Sequence, residues 1–154
     1  MNNMNGSPLE NQDMRNMNNM NGSPLENQTV ENDPFTEKII GCAIKIHRVL
    51  GPGFLENIYH RALAHELSKA NIPYVSEARM QVMYDGIILG DYVADFLIDS
   101  RLVVELKAVE VLLKTHEIQL VNYLSAVKFD LGLLINFGSQ KIQVKRKYRE
   151  LNRA

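Results

Sequence analysis

The chain holds a single cysteine, Cys42, so no internal disulfide framework can form and no zinc-binding set is available. Cys42 is expected to pack as a small core residue, and its isolation suits a reducing compartment. Long apolar runs are missing as well. None approaches the ~20 residues that a membrane helix needs, and the polar N-terminus lacks a basic-then-apolar secretory pattern. These absences point to a cytoplasmic protein without a membrane partner. Nor does either sign of charge dominate, since 17 basic residues meet 18 acidic ones for a formal net charge of −1. The balance is uneven along the chain. Residues 1–28 carry Glu10, Asp13 and Glu26 against Arg15, whereas beyond position 140 Lys141, Lys145, Arg146, Lys147, Arg149 and Arg153 face only Glu150. The C-terminal end therefore reads as a basic patch.

What is present is enough for one domain: 154 residues, 45% of them hydrophobic, can bury a sizeable core. Residues 1–12 recur unchanged at 17–28, and the Asn, Met and Gly content of this duplicated segment predicts a disordered tail over residues 1–32. The folded domain is expected over 33–154. A first helix is predicted from Asn32-Asp33-Pro34, where an N-cap candidate precedes a first-turn proline, to the breaker Gly51-Pro52-Gly53. His47 on it has no second metal-type residue at i+4 and reads as structural. A second helix opens after Gly53 and runs to about Ala70, with Glu56 in its first turn, where the helix dipole favours a carboxylate. Tyr74 to Tyr84 reads as a strand, Asp85-Gly86 as a hairpin turn, and Gly90 as a bulge or bend. Lys114 to Lys128 returns to helical spacing, with Thr115 as N-cap and Ile118, Val121, Leu124 and Val127 spaced for burial. Leu131 to Phe137 suits a buried strand ended by Gly138. The order is helix, helix, three strands, helix, strand, an α/β domain with a small mixed central sheet of about four strands flanked by helices.

The stretch Gly90–Val109 holds the chemistry. It reads as two apolar strands joined by a polar turn at Asp99-Ser100-Arg101. Strand parity places Val103, Glu105 and Lys107 on one face and Leu102, Val104 and Leu106 on the other. A carboxylate and an ammonium in so apolar a strand need a reason, because burying an unpaired charge is costly. Asp95 on the preceding strand can lie across from them. Two carboxylates and a backbone carbonyl offer the hard oxygens that magnesium or manganese takes, and the ammonium could orient a water or stabilise a phosphoryl oxygen. The plainer alternative is a partly buried Asp95–Lys107 salt bridge with Glu105 at a solvated strand end. On the following helix, His116, Gln119 and Tyr123 fall along one polar-leaning stripe. The amide of Gln119 can bridge a water, a lysine or a phosphate.

Taken together, Gly53-x-x-Glu56-x-x-Tyr59, the Asp95…Glu105-Leu106-Lys107 set, Gln119-x-x-x-Tyr123, the Leu-Ile-Asn-Phe-Gly strand end at 134–138 and the basic stretch at 144–148 resemble the GxxExxY family of the PD-(D/E)XK nuclease superfamily. The resemblance covers about residues 36–149. It implies a restriction-endonuclease-like core and a metal-dependent nuclease acting on nucleic acid, DNA before RNA. It further implies that Asp95 and Glu105 bind Mg2+ or Mn2+ with help from the Leu106 carbonyl, and that Lys107 positions or activates the attacking water. Glu56 matches the acidic residue of the preceding helix, and Gln119 and Tyr123 match a helix that supports site and substrate. Tyr59 and Tyr123, with Lys145, Arg146 and Lys147, are the expected substrate contacts. Ala94 stands where the superfamily pattern has proline. The competing expectation is a module that keeps the fold without catalysis and binds nucleic acid or protein.

Overall fold

The computed structural model describes residues 33–151. The duplicated segment and the tail expected over 1–32 lie outside the described residues. Three helices and five strands follow in the order α1 (Pro34–Leu50), α2 (Glu56–Lys69), β1 (Tyr74–Tyr84), β2 (Ile87–Ile98), β3 (Leu102–Lys107), α3 (Lys114–Val127), β4 (Leu131–Asn136) and β5 (Gln143–Tyr148). The strands form one sheet in the order β1-β2-β3-β4-β5. β3 and β4 are parallel and the other neighbours antiparallel, so the sheet is mixed.

The sequence reading expected about four strands, and β5 is the addition. The basic stretch at 144–148 is a strand paired with β4 from Asn136↔Gln143 to Leu131↔Tyr148. Its charges hid an alternation. Register places Lys145 and Lys147 on the α3 side of the sheet, opposite Leu134 and Gly132, while Val144 packs against the other core and Arg146 pairs with Glu37 of α1 at 2.7 Å.

Helices cover both faces. Against one pack Ile39, Ala43 and Ile46 of α1 and Tyr59, Leu63 and Leu67 of α2, residues at helical spacing, which meet Phe96, Leu102, Val104, Leu106, Leu133 and Ile135 of the sheet. Against the other packs α3 through Leu120 and Leu124, which meet Tyr92, Ala94, Val103 and Leu134. The apolar stripe of α3 keeps Leu124 and Val127 of the expected set, but Ile118 is half exposed and Leu120 is buried in its place, with Leu120 and Leu124 over Gly132. A Cβ at Gly132 would lie 3.0 Å from Leu124 Cδ1 and 3.2 Å from Leu120 Cδ2, so any side chain there would press on both leucines. The N-cap of α3 is Leu113 rather than Thr115. The Leu113 N–H donates to His116 Nδ1 and its carbonyl accepts from the His116 N–H.

Both hairpin turns have two consecutive left-handed residues, Asp85-Gly86 (φ 50° and 75°) and Asp99-Ser100 (φ 51° and 54°), the geometry that matches strand twist. The β1–β2 register slips once, Val82↔Gly90 giving way to Met83↔Ile88, so Leu89 is the extra residue of a bulge beside Gly90. Cys42 is partly buried and packs against the first core, as expected.

Candidate active site

β2 and β3 are paired only from Ile98↔Leu102 to Phe96↔Val104. Beyond that point the two strands part, and Asp95 stands in the fork. Opposite it on β1, Glu77 has a left-handed φ of 53° and the β1–β2 ladder skips the Glu77/Asp95 step. A non-glycine residue in this conformation is a local strain of the kind that gathers at functional sites. Asp95 Oδ2 accepts a 2.7 Å hydrogen bond from the Leu106 N–H, so the carboxylate bridges the gap that the parting strands leave. The Leu106 side chain is fully buried in the opposite core.

Glu105 comes from the next position of β3. It accepts a hydrogen bond from the Tyr92 hydroxyl, and its carboxyl is pushed up to about 7, first by burial and then by the negative charge of Asp95. The Tyr92 hydroxyl, a hydrogen bond from the Asp95 main chain and the charge of Lys107 pull in the other direction without cancelling the shift. Glu56, the first residue of α2, feels the same field. Burial and Asp95 raise its carboxyl, while Lys107 and His60 lower it. Three carboxylates therefore share the neighbourhood of one ammonium. No Asp95–Lys107 ion pair forms among the described residues, which rules out the salt-bridge alternative. The carboxylates are held instead by neutral donors, a main-chain N–H and a phenol.

Between β2, β3 and α3 lies a cavity of about 380 Å³, lined by Tyr92, Glu105, Lys107, His116, Gln119 and Tyr123 among others. Glu105, Lys107, Gln119 and Tyr123 thus meet in one space, whereas Asp95 and Glu56 do not line it and are linked to it by charge, Asp95 acting on Glu105 and Lys107 on Glu56. Tyr123 stacks flat on Tyr92, with ring centroids 4.1 Å apart and planes at 10°.

The donor set fits a divalent cation with oxygen ligands. Excess negative charge in a partly dry site is what such an ion neutralises, and the carboxylates are already oriented by hydrogen bonds. Among the described residues no three His, Cys, Asp or Glu side chains form a ready-made cage. Magnesium and manganese take one or two carboxylates and fill their remaining positions with water and phosphate.

Other expected site residues lie elsewhere. Tyr59 is fully buried, stacks on Phe137 at 4.7 Å and donates a 2.6 Å hydrogen bond to the Gly51 carbonyl, while its oxygen accepts from the Phe54 N–H. It cannot touch substrate. Its work is to gather the Gly51–Phe54 loop, with Gly53 at φ 111°, and so aim α2 and Glu56 at the fork. Arg146 and Lys147 are held in ion pairs with Glu37 and Glu117, the latter at 2.5 Å, and only Lys145 of the three is exposed. The basic patch is divided between two faces, so it is no continuous phosphate track.

Three further residues at the site were given no role from the sequence. His60, one turn after Glu56, stacks on Phe96 at 4.3 Å, lies 2.7 Å from Ser76 Oγ, and brings Nδ1 to 3.9 Å from Asp95 Oδ1. Its i+4 spacing from Glu56 was the only clue. Tyr92 could have been suspected as a phenol in a strand with a buried face, since a buried hydroxyl needs a partner. Asn136, fully buried beside Lys107 in the β3–β4 register, accepts from the Val109 and Gly138 N–H groups and donates to the Val109 carbonyl and Gln143 Oε1. It ties down the chain just after Lys107.

A parallel-containing five-stranded sheet with two acidic residues and a lysine at a strand fork defines a restriction-endonuclease-like α/β fold. The chain belongs to the PD-(D/E)XK nuclease superfamily, whose family profile matches residues 33–147. The crystallised protein SSO0001 resembles it in fold, with a TM-score of 0.50 and 22% identity over 62% of this chain and 50% of that one, so the chain spans about half the length of that protein. No curated protein matches the sequence.

Proposed function

We propose that the domain at 33–154 is a metal-dependent phosphodiesterase that hydrolyses nucleic acid in the cytoplasm, with DNA put ahead of RNA as the substrate to test. The observation that carries this is the gathering of three carboxyl groups, Glu56, Asp95 and Glu105, around Lys107, with Asp95 and Glu105 fixed by neutral donors. Membership of the GxxExxY branch is part of the proposal, supported by the way Gly53 and Tyr59 aim Glu56. Asp95, Glu105 and the Leu106 carbonyl would hold magnesium or manganese. Such an ion, when bound, supplies Lewis-acid polarisation of the phosphodiester and lowers the pKa of a coordinated water.

The remaining chemistry belongs to the chain. Lys107, beside Glu105 in the cavity, places a fixed positive charge where a phosphoryl oxygen becomes more negative, and it can donate a hydrogen bond to the attacking water. Gln119 faces the same space from α3 and both donates and accepts, which suits it to orient that water or a phosphate oxygen. Glu56 holds a proton more tightly than a free glutamate and can return it within the site. Exposed Lys145 remains available for phosphate contacts.

The test is incubation of the purified protein with end-labelled single- and double-stranded DNA and RNA, with magnesium, manganese or chelator, beside Lys107→Ala. Cleavage is expected with either metal, abolished by chelator, and weakened on the order of 10²–10³-fold in the variant. Binding without cleavage under every condition would overturn the catalytic reading in favour of a binding module.

A further inference from the structure

Tyr92 is 7% exposed, and its hydroxyl has one partner, the Glu105 carboxylate. A phenol is protonated at neutral pH and a carboxylate can only accept, so Tyr92 is the donor of this pair. Glu105 has three rotatable side-chain bonds and a charge that burial disfavours, and left to itself it would sample several positions. The phenol pins it to one. The tyrosine ring is itself held by packing with Ala94, Val103 and Leu134 and by the flat stack with Tyr123. β2 thus delivers Asp95 and, three residues before it, the group that places the other carboxylate.

We infer that Tyr92 is a positioning residue that holds Glu105 in place for a divalent cation, and that Tyr123 serves the site through its ring, by stacking on Tyr92, and not through its hydroxyl. The inference rests on the proposed metal-binding role of Glu105. It gives the two tyrosines different requirements: Tyr92 needs its hydroxyl and Tyr123 needs only an aromatic plane. It also moves Tyr123 from the expected substrate contacts to the support of the site.

The experiment is calorimetric titration of manganese into the folded protein at one fixed pH, with wild type, Tyr92→Phe, Tyr123→Phe, Tyr123→Leu and the Tyr92→Phe/Tyr123→Leu pair, each checked for folding by circular dichroism. Tyr92→Phe is expected to weaken manganese binding by about 10–100-fold, as loss of an orienting partner does at metal sites. Tyr123→Phe should retain the wild-type affinity, Tyr123→Leu should lose part of it, and the double variant should be no worse than Tyr92→Phe alone, because both changes act on one linkage. Wild-type affinity in Tyr92→Phe, equal losses in Tyr123→Phe and Tyr123→Leu, or additive losses in the pair would each overturn the inference. Absence of manganese uptake by the wild type would overturn the metal reading instead. Metal-free crystal structures then decide the positioning by themselves: a displaced Glu105 carboxylate in Tyr92→Phe supports it, and an unmoved one sinks it.

Discussion

On the side of β3 that meets α1 and α2, Leu102, Val104 and Leu106 are all fully buried in a core of apolar side chains. On the side that meets α3, Val103 alone is fully buried, and Glu105 and Lys107 follow it into a cavity. One backbone serves both. Because strand side chains alternate, every second residue can be charged without weakening the layer behind it. The α1/α2 face holds the sheet rigid, and the α3 face carries groups that a rigid sheet alone can keep in so unfavourable a place.

The sharpest way to break this division is on the stabilising face. Phe137→Ala removes a fully buried ring stacked on Tyr59 and is expected to cost about 3–5 kcal/mol in urea denaturation, with the loop that aims Glu56 loosened as well. On the other face the sign reverses. Glu105→Gln takes away a carboxylate that burial and Asp95 disfavour, so at pH 8 the metal-free protein should gain on the order of 1–3 kcal/mol while manganese uptake is lost.

The pH dependence sharpens the same contrast. The folded-state value of Glu105, about 7, stands above its ordinary 4.5, so its stabilising contribution is complete below pH 4.5 and is lost as pH rises through 7. The metal-free wild type should therefore weaken between pH 5 and pH 8 in denaturation curves, and Glu105→Gln should flatten that slope. Manganese affinity should run oppositely, falling as acid protonates Glu105. The smallest effect is expected at the rim: Arg146→Ala breaks a partly exposed ion pair with Glu37 and should change stability by about 1 kcal/mol or less. A larger loss would mean that β5 depends on this pair for its register.

Much of this was legible in residues whose type contradicts their surroundings. Glu105 and Lys107 stood out because charge in an apolar strand demands explanation, and the turns at Asp85-Gly86 and Asp99-Ser100 followed from residues that tolerate a left-handed backbone. What stayed hidden depended on partners distant in sequence. β5 looked like a charged tail because its burial rests on Glu37 and Glu117, far along the chain. Tyr59 shared a motif with Glu56 and seemed to share its role, yet its hydroxyl turns inward to Gly51. The burial of Leu120 in place of Ile118 was invisible because Leu120 packs over Gly132, which lies on another element.

Asn136 uses its carboxamide in full: its oxygen accepts from two N–H groups and its NH2 donates hydrogen bonds to two oxygens. Aspartate has the shape without the donors, leucine the volume without either, and Gly138, whose Cβ would lie 2.4 Å from the Val109 oxygen, closes off escape by a backbone shift. Any homologous chain that kept the acidic pair and the lysine but changed this one amide would have to splice the end of β3 to its loop with different atoms, which makes position 136 a diagnostic letter for sorting relatives that share this architecture.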